Sequence, residues 1–163
     1  MVNNRIFVGD VVAICEISVV TSVLGQGTLC VLTASGSVTS IGANSVGETG
    51  YRVDIWPLFG KLRESKLFVE DPSADVKVGR VVKLNDQYGV ITLLHRDYRG
   101  AFPYVHVLYA NGWNEIVPPD RRSSILPCAQ EIDIAPILAT LKAIKGMKWP
   151  IKEKVSVEIV SQT

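Results

Sequence analysis

The sequence predicts a mainly β chain: two similar small barrels in tandem, followed by one amphipathic helix and a last strand. Three observations carry this expectation. Val8-Gly9-Asp10-Val11-Val12-Ala13-Ile14 returns as Val78-Gly79-Arg80-Val81-Val82-Lys83-Leu84, and a strand pattern that recurs within one chain marks a repeated unit. Tyr51-Arg52-Val53-Asp54-Ile55-Trp56 is echoed by Tyr104-Val105-His106-Val107-Leu108-Tyr109, each with the alternation of a half-buried strand. Asn111-Gly112 lies between two such runs, where both residues tolerate positive φ and a two-residue type I′ hairpin is expected. Small repeated β units direct attention to presented surfaces rather than to one catalytic cleft.

In the first unit, residues 1–71, Phe7 to Val20 is rich in Val and Ile. Gly25-Gln26-Gly27 breaks the run, Thr28 to Thr33 resumes it, and Ser35-Gly36 turns the chain again. Gly42 to Gly50 is small and polar and reads as an exposed, mobile loop. Tyr51 to Trp56 is expected as a strand, Pro57 to Gly60 as a turn, and Leu62 to Val69 as the returning strand. Glu70-Asp71-Pro72-Ser73-Ala74-Asp75 is a solvated linker by composition and sets the domain boundary.

In the second unit, residues 72–127, Val81 to Leu84 and Tyr88 to Leu94 are strands about an Asn85-Asp86 turn. His95 to Pro103 is a polar loop, and the Asn111-Gly112 hairpin joins Tyr104 to Ala110 with Trp113 to Val117. After Pro118-Pro119 comes a short return from Ser123 to Leu126. In the extension, residues 128–163, Asp133 is placed to cap a helix running to about Lys145, with Pro136 in its first turn and Gly146 as its stop. Ile134, Ile137, Leu138, Leu141 and Ile144 share one face, with Thr140, Lys142 and Lys145 mostly opposite. Val155 to Ile159 alternates as a final strand, suited to complete its own sheet or a neighbour's.

Composition narrows the function classes. With 163 residues, each unit falls below the roughly 80 residues at which a domain braces itself, so each is expected to lean on the other or on neighbouring chains. The charged share is 20% against a usual value of about 25%, which tilts towards a surface spent in contact with other subunits, with a large shared core as the alternative. Lys and Arg number 17 against 16 Asp and Glu, a net charge of +1, so no global field steers the chain to nucleic acid or an anionic membrane. Met1-Val2-Asn3-Asn4-Arg5 opens no secretory leader, and the longest apolar run, Val11 to Cys15, is far below the ~20 residues that span a bilayer. A soluble chain made in the cytoplasm, with no membrane partner, is expected.

The inventory for chemistry is thin. His95 reads as an exposed loop residue and His106 as a structural strand residue, neither beside a nucleophile motif. Gly25-Gln26-Gly27 lacks the third glycine and the helix of a dinucleotide fingerprint, and Glu70, Asp71 and Asp75 lack the oxygen spacing of a calcium loop. Cys15, Cys30 and Cys128 have apolar or small neighbours and no partner at ligand spacing, so they are expected as buried reduced thiols. A Cys15 to Cys30 bridge across adjacent strands is the alternative that their odd number disfavours. No catalytic, cofactor-binding or metal site is predicted.

One constellation stands out as a contact surface. Arg96, Arg99, Arg121 and Arg122 are interleaved with Tyr98, Tyr104, Tyr109 and Trp113. Guanidinium groups with aromatic faces suit phosphates and bases; the same residues also suit a protein interface with the aromatics in a small core. Lys142, Lys145, Lys148, Lys152 and Lys154 form a second basic stretch, read as a solvated face.

The second unit, from Val78-Gly79-Arg80-Val81-Val82-Lys83-Leu84 through Tyr88-Gly89-Val90-Ile91 to Tyr104–Trp113, resembles the SH3-like small barrels of tailed-bacteriophage proteins, and the first unit does so more loosely. The resemblance implies tandem SH3-like barrels and a non-enzymatic structural or assembly protein of a virion, a capsid decoration or small head or tail subunit. Its partners would be other virion proteins and copies of itself, and its location the virion after synthesis in the host cytoplasm. Interface candidates are Arg96, Tyr98, Arg99, Tyr109, Trp113, Arg121 and Arg122. The alternative is a nucleic-acid-binding small-barrel module, since such barrels host both roles.

Overall fold

The computed structural model describes residues 5–96 and 103–159. In chain order its elements are β1 (Asp10–Ala13), β2 (Ile17–Leu24), β3 (Thr28–Thr33), β4 (Val38–Gly42), β5 (Gly47–Val53), α1 (Trp56–Arg63), β6 (Arg80–Leu84), β7 (Gln87–Arg96), β8 (Pro103–Tyr109), β9 (Asn114–Val117), β10 (Leu126–Glu131), α2 (Ala135–Lys145) and β11 (Val155–Val157). The chain is mainly β, in two sheets ordered β11-β5-β1-β2-β3-β4 and β10-β6-β7-β8-β9. Among the described residues neither sheet closes into a barrel.

The first repeat is structural. Strands β1 to β5 and β6 to β10 follow one plan, in which the fifth strand lies beside the first and the second, third and fourth follow outward. A short 3-10 turn precedes the fifth strand each time, Ala43–Ser45 and Pro119–Ser124. Gly9 and Gly79 do the same work in each copy. Their φ angles are +94° and +93°, their N–H groups donate to Val20 and Ile91 carbonyls at 2.8 Å, and their carbonyls accept from Val53 at 2.8 Å and Ile132 at 2.7 Å. A Cβ at either position would sit 2.7 Å from the Val53 carbonyl oxygen or 3.0 Å from that of Ile132. Close backbone approach at positive φ is the reason glycine stands at both.

The second echo is not structural. Tyr51 to Val53 belong to β5, beside β1, whereas Tyr104 to Tyr109 lie in β8, between β7 and β9. Alternation states that one face is buried and not where in a sheet the strand lies, which is why the likeness misleads.

Compact units divide the described chain at other places than the polar linker. Residues up to Ala34, Thr39–Ile55 and those from Ala135 form one, and Ser35–Val38 with Trp56–Ile134 form the other. In the first, Val12, Val20, Leu29 and Val31 form a buried cluster edged by Ile6, Ile14, Ile41 and Val46, and α2 packs on β2. In the second, Val82, Leu84, Ile91, Val105, Val107, Tyr109, Val117 and Ile125 form the core. Residues 56–71, assigned by sequence to the first unit, fall in the second. The extension after Ala135, read as separate, falls in the first.

Several local expectations change. Trp56–Arg63 is helix α1 rather than a strand end, a turn and a strand start. Pro57 stands in its first turn, where no N–H is needed, and Leu58, Phe59 and Leu62 are its buried face. Half of the supposed Gly42 to Gly50 loop is strand β5, with Thr49 fully buried and its hydroxyl donating to the Val11 carbonyl at 2.7 Å. The linker is not merely solvated, since Glu70 bridges Cys128 and the Asp71 N–H donates to the Pro127 carbonyl. The return from Ser123 is a 3-10 turn, with strand β10 beginning only at Leu126. The last strand is shorter than expected, Val155–Val157, and completes its own sheet, parallel to β5.

The two tight turns exchange roles. Asn85 and Asp86 adopt φ of +52° and +60° between paired Leu84 and Gln87, the two-residue type I′ hairpin. At Asn111-Gly112 only Gly112 has positive φ, +86°; the Gly112 N–H donates to Tyr109 and the Tyr109 N–H to Trp113. That is a three-residue loop with glycine at its left-handed position. In α2, Thr140 lies on the buried face, fully inaccessible, because its hydroxyl donates to the Pro136 carbonyl at 2.8 Å and needs no water.

Candidate interaction surfaces

The arginine and aromatic constellation divides. Tyr98 and Arg99 lie outside the described residues, and Arg96 is described only in its backbone, paired with Pro103 at the open end of β7 and β8. Tyr109 is a core residue, 5% exposed, its hydroxyl 3.4 Å from Glu115 Oε2. Burial, seconded by the Glu115 charge, pushes that phenol up to about 12, so it stays neutral and cannot act as a surface anchor. Trp113 is 53% exposed on the hairpin loop. Arg121 is exposed and Arg122 half-buried, both in the 3-10 turn before β10. Of the seven candidates, Trp113 and Arg121 are placed to meet a partner.

Apolar side chains mark the sheet edges. In the second unit, outer strand β9 exposes Ile116 and outer strand β10 exposes Leu126. Outer strands carry unpaired backbone groups and are natural templates for a further strand. Part of β10 is covered, since the Val69 carbonyl accepts from Ala129 and the Val69 N–H donates to Gln130 Oε1.

The histidines are nearer to each other than their expected settings imply. His95 lies in β7, not in a loop, and its ring centroid is 6.3 Å from that of His106 in β8. His106 is 7% exposed, and its Nδ1 accepts the Val38 N–H at 3.1 Å. Acceptance at Nδ1 places the proton on Nε2. Burial and, secondarily, the neighbouring His95 charge lower the His106 pKa, which keeps Nδ1 free to accept.

Cys15 is exposed, unlike the expectation, while Cys30 and Cys128 are buried; all three are free thiols, so Cys15 and Cys30 are not bridged. Cys15 lies in the bend between β1, which ends at Ala13, and β2, which begins at Ile17, outside the buried run Asp10 to Val12. Burial raises the Cys128 pKa and holds it as an inert thiol. Among the described residues no three His, Cys, Asp or Glu converge as a metal site, and no helix is long and apolar enough to cross a membrane.

The most developed polar site was not singled out by sequence. Asp10, whose side chain is 5% exposed, accepts the Phe7 N–H and the Lys154 ammonium on Oδ2, at 2.9 and 3.1 Å. Arg52 Nε lies 3.1 Å from Oδ1, but its N–H is misaligned, so that oxygen is ion-paired without a hydrogen bond. Asp10 and Glu48 on β1 and β5, with Lys152 and Lys154 from the segment after α2, help line a groove of about 470 Å³. The signal was present in the repeat. Asp10 follows Gly9 as Arg80 follows Gly79, the same position with opposite charge. Arg80 is likewise buried, donating from Nε to the Asp75 carbonyl at 2.8 Å and from one terminal nitrogen to the Ala129 carbonyl at 2.9 Å.

Compared with protein-family models, curated proteins and solved structures, the chain matches none.

Proposed function

We propose that this chain is a non-enzymatic assembly protein of a phage virion, a capsid decoration or small head or tail subunit, built from two SH3-like units whose sheets stay open beside their fourth strands and, in the second unit, along part of the fifth. The observation that carries the reading is the double use of one five-strand plan, with apolar residues standing on outer strands and loops: Trp113, Ile116, Leu126 and Val155. Such edges suit addition of a neighbouring chain, where backbone pairing gives affinity and side chains give choice of partner. A net charge of +1 favours protein partners over nucleic acid. The rigid aromatic Trp113, with Arg121, has the chemistry of an interface anchor.

The test is particle composition. Particles purified from cells carrying the surrounding genome, quantified by mass spectrometry, are expected to hold this chain in many copies. A chain absent from particles that binds DNA or RNA with an affinity falling steeply with salt would replace this reading by the nucleic-acid module.

A further inference from the structure

The segment after α2 lies on the outer edge of β5 in a way that specifies a binding slot. The Tyr51 hydroxyl donates to the Lys148 carbonyl at 2.8 Å, the Ile151 N–H to the Thr49 carbonyl at 3.0 Å, and Ile151 lies against Gly50, where a Cβ would collide with it. Lys154 then reaches buried Asp10 and stands 5.6 Å from the Phe7 ring centre. Val155, Ser156 and Val157 pair in parallel with Tyr51, Arg52 and Val53. The slot thus reads an extended segment by backbone pairing, and one lysine by a carboxylate under an aromatic ring.

The arm fits this slot without being part of the core. None of residues 146–159 is buried, and α2 has already ended at Lys145, with Gly146 and Met147 closing its last turn. An arm held only by surface contacts loses none of them when it leaves its own slot and enters the identical slot of another copy. Exchange of such an element is a low-cost route to association, governed by concentration and by the reach of the connection.

We infer that the β5 edge, with Asp10 and Phe7, is a strand-exchange site that takes the 148–157 arm of a second copy of this chain. The inference rests on the assembly reading and deepens it by naming the partner. Two variants, Tyr51→Cys and Val155→Cys, each also carrying Cys15→Ser so that the introduced cysteine is accompanied only by the buried Cys30 and Cys128, are mixed and oxidised. A second mixture, Arg52→Cys with Ser156→Cys, guards against loss of the Tyr51 contact. A disulfide joining two different chains in either mixture, rising with protein concentration, is the expected result. Mixtures that both remain monomeric at every concentration overturn it. Particle composition is read separately: a chain present in particles without such disulfides refutes exchange and keeps the assembly reading, and disulfides in a chain absent from particles do the reverse.

Discussion

Gly9 and Gly79 set the entry of the first strand in each copy of the plan, through positive φ and direct backbone contact across the sheet. Alanine forces an L side chain into that conformation, at a cost of about 1–2 kcal/mol, and drives its Cβ towards a carbonyl oxygen. Gly9→Ala, with the closer approach of 2.7 Å, is therefore expected to destabilise more than Gly79→Ala, as read from urea midpoints. Asp10 makes a different demand, since it is a buried carboxylate whose cationic partners, Arg52 and Lys154, are each over 40% exposed. Asp10→Ala frees both cations into water but leaves the Phe7 N–H without its acceptor. A loss of about 1–3 kcal/mol follows, measured in the same way.

His106 supplies the pH dependence at this scale. Its folded pKa is lowered, mainly by burial, so the unfolded chain binds the proton more readily. The stabilisation is complete above the unfolded value of about 6.5 and is lost as pH falls through the folded value. Protonation at Nδ1 also removes the acceptor of the Val38 N–H. NMR titration is expected to give a His106 pKa below that of a free histidine, with the Val38 amide shifting at the same midpoint. Tyr109 acts at the other end of the scale. Its pKa is raised to about 12, so its contribution is intact below the unfolded value of about 10 and lost as pH rises through the folded one.

Among elements, strands were legible where alternation met a turn signal, and helices where an apolar stripe ran long enough. Val81–Leu84 around Asn85-Asp86 satisfies the first condition and α2 the second. Helix α1 satisfied neither: eight residues with proline and glycine inside carry weak helical propensity, and burial of Leu58, Phe59 and Leu62 overrides it. Loop length misled at Asn111-Gly112, because the pair fits either a two-residue turn or the end of a three-residue loop. Pairing of Leu108 with Asn114 decides for the latter. The true type I′ turn offers a test. Asp86→Gly removes the strain of φ +60° and is expected to stabilise the chain by roughly 0.5–1 kcal/mol, seen as a higher melting temperature.

For the molecule as a whole, the strand repeat was visible in Val-Gly-x-Val-Val, yet the grouping of chain segments was not. Residues 35–38 belong with 56–134 and the helix after residue 134 with the first strands, and such long-range grouping leaves no local signature in composition. The candidate surface was legible only in part. Trp113 is exposed as an anchor should be, Tyr109 serves the core, and the Asp10 slot became visible only when residues distant in sequence met. In the proposed assembly role these observations meet in one claim, that the sheet edges are the working parts of the chain. Hydrogen–deuterium exchange, comparing the free chain with the chain in purified particles, tests that claim most directly. The account predicts slower exchange on assembly in the outer strands β4 and β9, with the cores unchanged. Equal exchange at both edges in the two states would contradict it.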